Sequence, residues 1–158
     1  MSAGDEQALA ERVVSAMMAK DAFSRLLGME VVDVRPNGAT VRMTVRPEML
    51  NGFLVCHGGA TFALADSALA FASNTHGKVT VSIENSISYP KGVREGDVLT
   101  AVAVQESDTN RLAFYRVTVR RGLLFHTETA IPASLIASAG ERLTLNVDAE
   151  AVKKLERG

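Results

Sequence analysis

The chain of 158 residues has one cysteine, no tryptophan, two tyrosines and four prolines, and its formal net charge is −1. Each scarcity removes a class of function. The single cysteine, Cys56, allows no intrachain disulfide, so nothing implies an oxidising compartment. Seventeen basic residues against eighteen acidic ones leave no electrostatic footprint for nucleic acid. An anionic ligand must therefore be held by a local basic patch. His76 and His126 stand apart from any Cys or carboxylate cluster, and no spacing predicts a metal site. No apolar run is long enough to cross a membrane, because the 49–77 stretch is broken by Asn51-Gly52, by His57-Gly58-Gly59 and by Asp66. The opening residues MSAGDEQALAERVV carry acidic side chains early and no uninterrupted apolar core. They do not read as a secretory signal, and the cytoplasm is the expected compartment.

What is present fits one domain that buries about two-thirds of its unfolded surface. Leu9, Val13, Val14, Met17 and Met18 recur near helical spacing over Glu6 to Met18. A short helix over Ala22 to Leu27 is expected to end at Gly28. The period then changes to two. Val31 to Val34 and Val41, Met43, Val45 read as a hairpin turned at Asn37-Gly38. After a long apolar helix over Gly58 to Ser73, KVTVSIENSISYP alternates. Val79, Val81, Ile83, Ile87 and Tyr89 face one way, and Thr80, Ser82, Glu84, Ser86 and Ser88 the other, as in a strand with one apolar face. DVLTAVAVQ, RLAFYRVTVR and LLFHTETAI read as three further strands. The tail DAEAVKKLERG reads as a short exposed helix or a frayed end. The expected fold class is α+β, a curved antiparallel sheet wrapped around one central apolar helix. The expected organisation is a domain over 1–137 and a C-terminal extension over 138–158 of unassigned role.

Between Glu48 and Lys78 the only formal charge is Asp66. A carboxylate in the middle of an apolar helix is costly to bury, and Asp is a poor helix former. It either caps a neighbouring backbone group or serves chemistry, as general base for a water or as nucleophile. Gly58 and Gly59 stand where the helix begins. The first helical amides have no internal partner and carry partial positive charge, which suits the oxygen of a carbonyl under attack. Asp66 lies two turns beyond Gly59, on one face with Ser73 and about 10 Å further along the axis. That is awkward for one active site within one chain. An antiparallel copy of the helix from a second subunit solves it, and Asp66 is then expected to be buried between subunits.

The segment NGFLVCHGGATFALAD, Asn51 to Asp66, resembles the hotdog-fold acyl-CoA thioesterases of the PaaI type, named for phenylacetate degradation. Their Asn-Gly, His-Gly-Gly and helical Asp are all present at matching spacing, and YPKGVREGDVLTA resembles a later strand-loop-strand pattern. The likeness runs from about Leu26 to Ile131, beyond which the C-terminus departs from it. It implies a hotdog fold, active sites at the interface of a homodimer or dimer of dimers, and hydrolysis of an aromatic (phenylacetyl- or hydroxyphenylacetyl-type) or medium-chain acyl-CoA. Coenzyme A is then part of the substrate, and no separate cofactor is expected. The resemblance gives His57 a supporting role at the loop or the thioester end; otherwise it satisfies loop backbone groups. Asn51 either orients the water or Asp66, or is a plain Asn-Gly turn. Ser82 aligns with a strand serine that some relatives use beside the carboxylate, although the period count puts it on the polar face.

Cys56, set among Leu54, Val55 and the glycines, reads as a small buried residue and not a nucleophile. The phosphates of coenzyme A need Lys or Arg, which Lys91 and Arg94 offer in a loop of YPKGVREG, and Arg120 and Arg121 in VRRG. The resemblance favours the first loop. Two rivals stand beside the thioesterase. A hydratase or dehydratase would pair His57 with Asp66, and a non-catalytic acyl-CoA-binding module would keep the cleft without the hydrolysis.

Overall fold

A computed structural model of the chain describes residues 1–109, 111–122, 136–138 and 144–145. The chain divides into two compact units, Met1–Leu123 and Leu124–Gly158, and the boundary expected at 137/138 falls inside the second. In the first unit, Ser2 and Asp5 close a capping box at the start of α1, Ala3–Lys20. Asp21 caps α2, Ala22–Leu26, by accepting the Ser24 N–H at 2.9 Å. Gly28, at φ +68°, ends that turn as expected.

Strands β1, Glu30–Arg35, and β2, Gly38–Thr44, form the expected hairpin, with Asn37 at φ +60° in its turn. The Asn37 N–H donates to Thr75 Oγ1 at 2.8 Å and ties the turn to the end of the central helix. That helix, α3, runs Gly58–Asn74. Strands β3, Val98–Asp108, and β4, Ala113–Arg121, complete an antiparallel sheet in the order β1-β2-β3-β4. In the second unit, β5, Ile136–Ser138, pairs with β6, Thr144–Leu145. The expected strand LLFHTETAI, His126 and the helical tail lie outside the described residues.

Alternation drives the packing. Val41 and Met43 of β2 and Leu99, Ala101 and Ala103 of β3 turn one face onto Leu64, Ala68, Phe71 and Ala72 of α3. Phe71 is 1 % exposed, and burying such a side chain contributes about 1.5–3 kcal/mol. A buried polar chain fixes the other side of α3. Ser24 Oγ donates to Asp21 Oδ2 at 2.6 Å and shares a hydrogen bond of 2.8 Å with Ser67 Oγ.

Two expectations are corrected. KVTVSIENSISYP forms no strand among the described residues; its hydrogen bonds run antiparallel along α3. Thr80 exchanges two hydrogen bonds of 2.9 Å with the Asn74 side chain, Asn85 reaches Asp66, and Tyr89 reaches Gly58. Alternation records the two side-chain faces of an extended segment. A strand also needs a ladder partner, and this segment is bonded to the helix instead. Its apolar side therefore stays outside the core, with Val79 93 % and Ile83 81 % exposed. The second correction concerns α3, which the described residues do not surround. Gly59 and Asp66 are exposed, with Phe62, Ala63, Leu69 and Ala70 half-buried around them. The four-stranded sheet covers the opposite face, and Asp66 stays exposed in the single chain. Ser73, expected on that open face, is buried and donates to Ala70 O.

Candidate active site

The loop before α3 is built by Asn51. Its Oδ1 accepts the Phe53 N–H at 2.9 Å and the Val55 N–H at 3.4 Å, and its own N–H donates to Val55 O at 2.8 Å. These bonds hold Leu54 at φ +59°, a conformation that costs a branched residue on the order of 1 kcal/mol or more. Asn51 is thus a turn-forming residue; no hydrogen bond joins it to Asp66 among the described residues. Cys56 is buried, as expected, with Sγ 3.8 Å from Thr61 Oγ1.

His57 is the N-cap of α3. Its Nδ1 accepts the Gly59 N–H at 2.9 Å. The neutral ring that accepts at Nδ1 carries its proton on Nε2, a donor free to face a ligand. The Gly59 amide, expected to be open, is therefore engaged by the histidine. Gly58 keeps an N–H that no acceptor among the described residues takes. Neighbours restrict both glycines. A Cβ on Gly59 would sit 3.0 Å from His57 Nδ1, and one on Gly58 3.3 Å from Tyr89 Cζ. Tyr89 also donates its hydroxyl to Gly58 O at 3.1 Å.

Asp66 lies two turns further on the exposed stripe of α3. Its partner is Asn85, whose Nδ2 is 3.4 Å from Asp66 Oδ1. Ser82, expected beside the carboxylate, makes no hydrogen bond to it among the described residues. Asn85 and Tyr89 were not among the expected site residues. The signal for Asn85 was its place as the only polar residue in the series 79, 81, 83, 85, 87, 89.

A cleft of about 1080 Å³ opens between this segment and β4. Phe62, Ala65 and Leu69 of α3 and Val117 and Val119 of β4 supply apolar walls, while Lys91, Arg120 and Arg121 supply cations. The two basic stretches, separate in sequence, thus meet at one cleft: Lys91 from its loop, Arg120 and Arg121 from the end of β4. Arg121 Nη1 is 3.6 Å from Asp97 Oδ2, and Arg94 donates its backbone N–H to the same oxygen at 2.8 Å. Lys91 and Arg120 take part in no ion pair among the described residues. Within those residues no cluster of three or more His, Cys, Asp or Glu could hold a metal, and no helix is long and apolar enough to cross a membrane.

Residues 53–122 match the thioesterase superfamily. The chain is 40% identical over 119 residues to a putative esterase of Archaeoglobus fulgidus, covering 75% of this chain and 77% of that protein. It is 36% identical over 104 residues to the acyl-coenzyme A thioesterase PaaI of Escherichia coli, covering 66% and 74%. The solved structure of the E. coli PaaI protein from the phenylacetic acid degradation operon superposes with a TM-score of 0.71 at 33% identity, covering 73% of this chain and 83% of that one.

Proposed function

The chain belongs to the thioesterase superfamily, with the α+β hotdog arrangement of a sheet packed on a central helix, and from that premise we propose that it is an acyl-CoA thioester hydrolase of the PaaI type. The observation that carries this reading is the exposed stripe of α3. At one end stand the Gly58 N–H, without an acceptor among the described residues, and the His57 ring, and two turns away stands a lone carboxylate among apolar residues.

Gly58 and Asp66 are eight residues apart, about 12 Å along the axis at ~1.5 Å per residue. One thioester cannot touch both ends of one helix. Two chains with antiparallel α3 helices, stripe against stripe, bring the Gly58 end of each to Asp66 of the other. The active unit is then a homodimer, or a dimer of dimers, with two sites at the interface. The apolar stripe favours this, since pairing removes Phe62, Leu69 and the alanines from water.

In such a site the Gly58 N–H and the His57 Nε2–H donate to the thioester carbonyl oxygen, where negative charge grows. Asp66 acts on the carbonyl carbon in one of two ways. As general base it takes a proton from water while the water oxygen bonds to the carbon, and the C–S bond then breaks to release coenzyme A. As nucleophile its oxygen displaces coenzyme A to give a mixed anhydride, which water cleaves. A single turnover in H₂¹⁸O with mass analysis of the Asp66 peptide tests for the second: label in the enzyme marks an anhydride that water cleaves at the Asp66 carbonyl. The apolar cleft walls suit an aromatic or medium-chain acyl group, and Lys91, Arg94 and Arg120 the nucleotide phosphates. A coenzyme A substrate fits the cytoplasm.

The test is release of free thiol from a panel of acyl-CoAs that includes phenylacetyl, hydroxyphenylacetyl and medium-chain forms. Turnover that peaks on one of these supports the reading. No turnover on any, with acyl-CoA bound, would identify a binding module instead, and hydration of an enoyl-CoA would identify the hydratase.

A further inference from the structure

The open side of Asp66 has one neighbour whose chemistry is out of character for its position. In the segment 79–89 every second residue follows one pattern, and Val79, Val81, Ile83, Ile87 and Tyr89 of that series are apolar or aromatic. Asn85 alone is polar. Solubility does not require it, because Thr80, Ser82, Glu84, Ser86 and Ser88 already make the other series polar.

Its place along the helix is set from the Tyr89 end. Tyr89 is pinned to Gly58 and Thr80 to Asn74. Four residues of extended chain span about 13 Å at ~3.3 Å each. The eight helical residues from Gly58 to Asp66 span about 12 Å at ~1.5 Å each. The segment and the helix therefore come into step at Asn85 and Asp66, where Nδ2 approaches Oδ1 at 3.4 Å. A carboxylate only accepts hydrogen bonds, so the amide must present its NH₂ group to it. Asn85 also lines the cleft, and so links the carboxylate to the space the substrate would occupy.

We propose that Asn85 is the positioning residue for Asp66: its side-chain amide holds Oδ1 and leaves Oδ2 directed at the water or the thioester carbon. The inference rests on the thioesterase reading and assigns to that site a residue that acts through Asp66 within the same chain. Asn85 is exposed in the single chain, so its substitution does not open the core.

The test is steady-state kinetics of Asn85→Leu, similar in size but without a donor, and of Asn85→Asp, which sets a like charge against Asp66. A hydrogen bond to a charged group is worth roughly tenfold to a hundredfold, so kcat should fall by that factor in both variants, while KM stays within about twofold because ground-state binding is untouched. Added to Asp66→Ala, Asn85→Leu should cause no further loss, since the group it orients is gone. Coenzyme A should still raise the melting temperature of each variant, which checks the fold and the binding cleft. A kcat for Asn85→Leu near that of the wild type, a change confined to KM, or the same fold-loss with and without Asp66 would each overturn the proposal. If Asp66→Ala is inactive and Asn85→Leu is not impaired, only this inference fails. If the wild type releases thiol from no acyl-CoA, the thioesterase reading fails and takes this inference with it.

Discussion

His57 Nδ1 accepts the backbone N–H of Gly59 at 2.9 Å. One side chain thereby caps α3, fixes its own tautomer and leaves the Gly58 amide without an acceptor among the described residues. The capping and catalytic roles can be separated. His57→Ala removes both, lowering stability by about 1 kcal/mol, as for other lost N-caps, together with kcat. His57→Asn restores a side-chain acceptor for the Gly59 N–H without a ring proton. Its melting temperature should return towards wild type while kcat stays low. Recovery of both in His57→Asn would show that His57 serves only as a cap.

Much of this site was legible in the sequence, and what was not has a physical reason. Asn37-Gly38, the Gly28 stop and the span of α3 each depend on local chemistry, and each is found where expected. The alternation of residues 79–89 was legible, but their partner was not, because alternation does not say whether a ladder or a helix receives the backbone. The lone charge of Asp66 marked it out. Its exposure in the single chain was hidden, since a 17-residue helix of small and apolar side chains reads as buried on every side. The engagement of Gly59 by His57 depends on a ring rotamer, which spacing does not encode. The meeting of Lys91 with Arg120 and Arg121 depends on the path of β4 beside the 84–93 loop.

Asp66→Ala should lower kcat by about 10² or more, the usual worth of a general base, with the fold intact. Activity within about threefold of wild type on the best substrate would remove Asp66 from the mechanism. The same variant tests the shared site. Asp66→Ala chains and Gly58→Ala chains, each weakened alone, should regain activity when mixed and allowed to exchange. One of the two interface sites in the mixed dimer then has an intact Gly58 and an intact Asp66. Absence of rescue under verified subunit exchange, or a monomer at assay concentration, would contradict the interface.

Asp21 ties the acid stability of the chain to the wall behind α3. Burial alone would raise its pKa, but hydrogen bonds from the Ser24 hydroxyl and N–H and the Phe23 N–H, together with the charge of Arg25, bring it below 3.8. A carboxylate whose pKa is lower folded than unfolded stabilises the fold above its unfolded value, and that contribution is lost as pH falls through the folded value. Asp21→Asn keeps a capping oxygen and removes the charge. Its melting temperature should lie below wild type at pH 6, with the gap closing as the pH drops below about 4. A gap independent of pH would show that the charge does not contribute.

Lys91 is exposed, lines the cleft and has no ion-pair partner among the described residues. Its proposed role is to hold the coenzyme A phosphates, at a distance from the reacting carbon. A charge that helps ground state and transition state equally lowers KM and leaves kcat alone, so Lys91→Ala should raise KM for acyl-CoA at unchanged kcat. The effect should shrink as salt is raised, because exposed charges are screened over ~10 Å at about 0.1 M ionic strength. It should also vanish on an acyl-pantetheine, which carries the thioester but no nucleotide. Arg120 faces the same cleft, so Lys91→Ala combined with Arg120→Ala should raise KM further, again only for the full acyl-CoA. Equal losses on the truncated and the full substrate would assign Lys91 to the shape of its loop. No loss on either would leave it as solvated surface charge, with the phosphates held by Arg94, Arg120 and Arg121.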